Sequence, residues 1–172
     1  RNASDVFAVG DGGAVLHYDG KSWRAEDSQL VGVVLFTVTG TADRVWAIGG
    51  FGSPQLIARS TPDNRTGTRN RNAEKPWSAV ELADEVPATL QGISVQGAGD
   101  AAVVWVSGWD GYVASYSAGI WTSHKSGTEL ALHAVHVDGS GAVWAVGGDI
   151  QTLTDDHVGA ISVAGATVAK LP

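Results

Sequence analysis

Cysteine and methionine are both absent from the 172 residues, and proline occurs only five times. Without cysteine there is no disulfide framework and no thiolate metal site, while the compartment stays open. Without methionine, even at residue 1, the expectation is a chain that is not a whole translation product. No window is apolar for long enough to span a bilayer, so no membrane span is expected. None has the make-up of a signal peptide, although one removed ahead of Arg1 is compatible with the sequence. Positive charge is also scarce. A formal net charge of −7 argues against a nucleic-acid partner held by general electrostatics.

Glycine and tryptophan are abundant, at 23 and seven residues. The glycines sit at expected turns, which reads as hairpin chemistry and not as a linker. Four stretches organise the chain: Val6-Phe7-Ala8-Val9-Gly10, Val45-Trp46-Ala47-Ile48-Gly49, Val104-Trp105-Val106-Ser107-Gly108 and Val143-Trp144-Ala145-Val146-Gly147. Each is an apolar run with an aromatic second and a glycine last. Phe7 to Trp46 spans 39 residues, as does Trp105 to Trp144, and the interval between Trp46 and Trp105 is 59. A period near 40 with strand-like content points to propeller blades, with an insertion of about twenty residues in the second unit.

The strands follow from turn signals such as Asp11-Gly12-Gly13, Asp19-Gly20 and Asp110-Gly111. The first unit, 5–29, holds three strands: Val6 to Val9, Ala14 to Tyr18 and one starting at Lys21. Val6 to Val9 is apolar throughout, so both of its faces are expected to be buried. The second unit, 34–87, has strands Val34 to Thr39, Val45 to Gly49, Gln55 to Ser60 and Trp77 to Leu82, with the insertion at 59–76. The third, 88–128, has Leu90 to Val95, Val103 to Ser107, Tyr112 to Ser117 and Ile120 to His124. The fourth, 130–172, has Leu132 to Val137, Val143 to Gly147, Gly159 to Val163 and Thr167 to Leu171. The fold class is therefore all-β: a β-propeller of four-stranded antiparallel blades, about four of them visible. The first blade lacks its first strand, so the chain is expected to be part of a larger propeller.

The strands ending in Gly-Gly (Ala47-Ile48-Gly49-Gly50; Ala145-Val146-Gly147-Gly148), followed by a further strand and then by a trailing Trp whose place Val168 takes in the fourth unit, resemble kelch repeats. The run His17-Tyr18-Asp19-Gly20-Lys21-Ser22-Trp23 is similar to the Asp-box of sialidase-like bacterial propellers, with one residue of difference in the Asp-to-Trp spacing. These residues define repeats, so the resemblance implies a fold and carries no activity with it.

An aromatic recurring once per unit (Phe7, Trp46, Trp105, Trp144) reads as blade-to-blade packing. Trp109 has no counterpart in the other units. In Gly108-Trp109-Asp110-Gly111-Tyr112 it stands on a turn beside Asp110 and Tyr112, which suits sugar stacking; the competing reading is a ring covering a blade edge. Residues 59–76 hold five of the eleven basic residues and are +3, against −10 for the remainder. Arg65, Arg69 and Arg71 there could dock an acidic partner or an anionic glycan; the competing reading is a solvated loop. Asp149, Asp155, Asp156 and His157 form the densest ligand-type cluster and could hold calcium, although their spacing matches no EF-hand. His133 and His136 are three apart on a strand and face opposite ways, and His17 and His124 sit alone.

No nucleophile–base pair or carboxylate pair stands out, since Asp and Glu fall mostly on turns. The expected function is non-catalytic: a rigid propeller presenting loops to a glycan or protein, bacterial and exported. The alternatives are a carbohydrate-active enzyme domain (a sialidase-like hydrolase or lyase) completed by residues outside the chain, and a structural subunit of a surface assembly that self-associates.

Overall fold

The computed structural model describes residues 3–60 and 76–148, with the backbone of 157–162 and 168–169. Every main element is a β-strand: β1 (Val6–Val9), β2 (Val15–Tyr18), β3 (Trp23–Glu26), β4 (Leu35–Gly40), β5 (Arg44–Gly49), β6 (Gln55–Ser60), β7 (Trp77–Ala79), β8 (Leu90–Gln96), β9 (Val103–Gly108), β10 (Val113–Ser117), β11 (Ile120–His124), β12 (Leu132–Val137), β13 (Val143–Gly148), β14 (His157–Ser162) and β15 (Val168–Ala169). Single turns of 3-10 helix at Asp11–Gly13 and Gly99–Ala101 complete the list among the described residues. The strands form four antiparallel sheets in chain order: sheet I (β1–β3), sheet II (β4–β7), sheet III (β8–β11) and sheet IV (β12–β15). Each is an open meander, and none closes on itself.

Turn chemistry explains the hairpins. Asp19 accepts the backbone N–H of Lys21 and Ser22 at 3.0 Å each, and Gly20 supplies the left-handed residue at φ 90°. Asp138 plays the same part ahead of β13. Its carboxylate accepts from the Ser140 N–H (2.8 Å) and hydroxyl (2.6 Å), the Ala142 N–H (3.1 Å) and the Trp144 indole (3.1 Å). The Ser140 hydroxyl first, and then the Trp144 indole, hold the Asp138 carboxyl far below the usual carboxylate range.

Sheets II, III and IV repeat one local design. The residue opening the first strand lies opposite the glycine closing the second: Leu35 with Gly49, Leu90 with Gly108, Leu132 with Gly147. In each case the first strand then carries one extra residue (Phe36, Gln91 or His133), a bulge at the same position. The closing glycine is a steric requirement. A Cβ there would stand 2.0 Å from the Val34 carbonyl oxygen, 2.3 Å from that of Thr89 and 2.0 Å from that of Ala131. Gly10, the matching residue of sheet I, has open space around it, because no described strand lies on that edge of sheet I.

The sheets stack face to face, with β1 beside β4, β4 beside β8 and β8 beside β12. Between sheets I and II lie Val15, Leu35, Val45, Ala47, Ile57 and Trp77, with Phe7 and Val9 against them. Between sheets II and III, Trp46, Ile48 and Leu56 meet Leu90, Ile93, Val104, Val106 and Ala114. Between sheets III and IV, Trp105 and Val113 meet Leu132, Val135, Val137, Val143 and Ala145. Each large side chain so buried stabilises the stack by about 1.5–3 kcal/mol.

Val6 to Val9 departs from expectation. Val6 and Ala8 are exposed, whereas Phe7 and Val9 face sheet II. An all-apolar strand is buried on both faces only where a sheet lies on each side, and among the described residues sheet I has a neighbour on one side alone.

Candidate functional site

A four-stranded meander has two ends, and the repeated register fixes which loops share one. The connections 27–34, 50–54, 80–89, 109–112 and 125–131 all lie where the first strands begin and the second strands finish. The tight turns 41–43, 97–102, 118–119 and 138–142 lie at the opposite end.

At the loop end, backbone hydrogen bonds fasten the exposed turns. Trp109 donates its N–H to the Thr89 carbonyl at 3.1 Å, and Phe51 forms an isolated antiparallel bridge with the same Thr89. Asp110 (φ 57°) and Gly111 (φ 65°) are both left-handed, the backbone of a type I′ turn, closed by Tyr112 N–H to Trp109 O at 3.0 Å. Gly111 is pressed onto the 126–128 loop: a Cβ there would stand 1.8 Å from the Thr128 carbonyl oxygen.

Two large rings are thereby held in the open. Phe51 is 60% and Trp109 40% exposed. Their centroids are 6.4 Å apart, and the bulge residue Phe36 meets Phe51 edge-on at 4.9 Å. The row continues through the other bulges. The Thr37 hydroxyl donates to the Gln91 carbonyl at 2.7 Å, and the Gln91 side-chain amide contacts the His133 ring at 2.9 Å. The other nitrogen of His133 donates to the Gly148 carbonyl at 2.9 Å. Phe36, Gln91 and His133 thus stand in succession across sheets II, III and IV.

Of the residues expected at a ligand site, Trp109 and Asp110 are exposed on this turn. Tyr112 turns away into the packing between sheets II and III. Burial pushes its phenol above the ordinary tyrosine value; the nearby Ser123 hydroxyl opposes that, and Glu85 adds to it. Arg65, Arg69 and Arg71 lie outside the described residues. The described strands that flank them, β6 and β7, finish and begin respectively at the turn end. Asp149, Asp155 and Asp156 also lie outside the described residues, and only the backbone of His157, paired with Gly148, is within them. Among the described residues no group of three or more His, Asp or Glu is arranged to hold a metal ion. No helix among them is long and apolar enough to cross a membrane.

The histidines depart from the sequence reading. His17 is not alone: its ring contacts Asp5 at 2.9 Å and Glu26 at 3.2 Å, and stacks on Phe7 at 4.2 Å. Glu26 also accepts from Arg59 through Nε and Nη2, both at 2.7 Å, and from the Trp77 indole at 2.8 Å. Arg59 therefore belongs to β6 and its partner on β3, not to the basic insertion. Three N–H donors on one carboxylate give Glu26 a structural role, tying β3 to β6 and β7. The cluster clasps sheet I to sheet II. No residue pattern signals it, because Glu26 opens the polar run Glu26-Asp27-Ser28-Gln29 and its partners are distant in sequence. His124 lies over Trp105 at 4.5 Å and contacts Ser115 at 2.9 Å, and burial lowers its pKa. His133 sits in the bulge, where strand alternation does not apply, while His136 is exposed.

A concavity of about 230 Å3 opens at the turn end between sheets II and III. Arg44, Trp46, Asp100 and Tyr116 line it, with the Arg44 guanidinium 5.8 Å from the Trp46 ring centre.

No family model, curated protein or solved structure matches the chain.

Proposed function

We propose that the chain is a propeller-type repeat protein whose loop end binds a glycan without turning it over. The repeated bulge and closing glycine, and first strands lying side by side from sheet to sheet, support reading the sheets as blades. The observation that carries the binding reading is the Phe51–Trp109 pair: two exposed rings 6.4 Å apart on fastened turns, with the Asp110 carboxylate beside them. Exposed aromatic faces take up the C–H face of a sugar ring, and a carboxylate at the rim accepts from its hydroxyls. The turns are already ordered by backbone bonds, so little freedom is left to lose on binding. A bacterial, exported setting belongs to the same proposal and rests on composition and on the resemblance to exported propellers.

The test is calorimetric titration with a panel of neutral and acidic oligosaccharides. Binding that weakens at least about tenfold in both Trp109→Ala and Phe51→Ala, with unchanged thermal unfolding, supports the reading. Release of free sugar from any member of the panel would instead make the chain part of an enzyme. Binding untouched by both substitutions would move the site elsewhere.

A further inference from the structure

The two ends of the stack are complementary to each other, and we propose that a second copy of this chain occupies them, sheet IV of one copy packing on the bare face of sheet I of the next. The argument is a residue-by-residue equivalence. At the junction of sheets II and III, Trp46 and Ile48 on β5 pack against Val104 and Val106 on β9 and Ala114 on β10, flanked by Tyr116 and Trp121. Register places Tyr116 opposite both Val104 and Trp121, and Ala114 opposite Val106.

Sheet I repeats this receiving face. Tyr18 stands opposite both Val6 and Trp23, and Leu16 opposite Ala8. The paired rings keep nearly the same geometry: Tyr18 and Trp23 are 5.4 Å apart at 39°, Tyr116 and Trp121 4.9 Å apart at 44°. Sheet IV repeats the inserting face, because Trp144 and Val146 on β13 hold the positions of Trp46 and Ile48 on β5. Inside the stack these positions are closed: Val104 is 1% and Trp46 2% exposed. At the ends they are open, Val6 at 38% and Trp144 at 40%, with Leu16, Trp23 and Val146 exposed beside them.

Neither set carries a formal charge at neutral pH, and contiguous apolar surface of this kind marks an interface. Among the described residues both faces are open, and each end of the chain presents the counterpart of what the other end takes at the junction of sheets II and III, which makes a second copy the complementary occupant. A head-to-tail contact of unlike faces closes into a ring or continues as a filament.

Sedimentation of the 172-residue chain over a range of concentrations tests this, together with Leu16→Asp and Val146→Asp. Both substitutions fall on exposed positions, and circular dichroism checks that each variant is folded. The expected result is concentration-dependent association of the unsubstituted chain, monomers for either variant alone, and a one-to-one dimer when the two variants are mixed. That rescue follows because each variant keeps the face the other has lost. As a second readout, Ala8→Cys and Val146→Cys chains, in a background free of other cysteines, should cross-link when mixed and not separately. A monomer at every concentration overturns the proposal, because the two faces then do not pair with each other. Association that survives in either variant alone overturns it too, because it means like faces pairing.

Discussion

Val6, Tyr18 and Trp23 of sheet I and Val104, Tyr116 and Trp121 of sheet III hold matching positions in matching registers. One set is packed under sheet II, and the other faces solvent. The residues do not differ in kind; their neighbours do. Burial in a stack of repeats is a property of position along the stack, and nearest-neighbour interfaces carry most of the stability.

The comparison can be broken most forcefully at the recurring aromatic. Trp46→Ala should cost about 3–5 kcal/mol in urea unfolding, whereas Trp144→Ala in the dilute monomer should cost less than about 1 kcal/mol. Equal costs would mean that sheet IV is covered in solution. Next comes the clasp on the other face of sheet I. Glu26→Gln leaves the largely buried Arg59 without its carboxylate and should cost about 3 kcal/mol. The loss should show as faster amide exchange in β1–β3, with sheets III and IV unchanged. A uniform loss of protection would show instead that sheet I does not open separately.

A smaller contrast lies in the closing glycines. Gly108→Ala drives a methyl into the Thr89 carbonyl and should cost about 1–3 kcal/mol, while Gly10→Ala meets nothing and should stay within about 0.5 kcal/mol. A destabilised Gly10→Ala would reveal a strand pairing on the free edge of β1. The smallest effect concerns the Asp138 turn. Its folded carboxyl titrates below the ordinary value of 3.8, so its contribution is complete above that pH and is lost as the pH falls through the lowered folded value. A carboxyl carbon NMR titration should place the midpoint below 3.8, and a midpoint at or above it would mean that the turn bonds do not form.

All fifteen described strands were legible in the sequence, because the aromatic-to-glycine stretches repeat and Asp-Gly turns punctuate them. What escaped was whatever depends on the third dimension. Phe51 lies on a loop with no periodicity, and only folding brings it beside Trp109. The bulges at Phe36, Gln91 and His133 leave no mark in residue type. The partnership of Glu26 with His17, Arg59 and Trp77 joins residues up to 51 positions apart. Val6 to Val9 misled because an all-apolar run states that a strand can be covered on both faces, not that it is.

Because each sheet is a meander of strands adjacent in sequence, no described sheet waits for a distant segment before its hydrogen bonds can form. Such a chain is suited to fold from a local nucleus and to spread outward by docking one meander after another. The pair formed by sheets II and III, with the largest shared core, is the natural seed. Sheet I would then join late and leave first, giving the molecule a graded melting front.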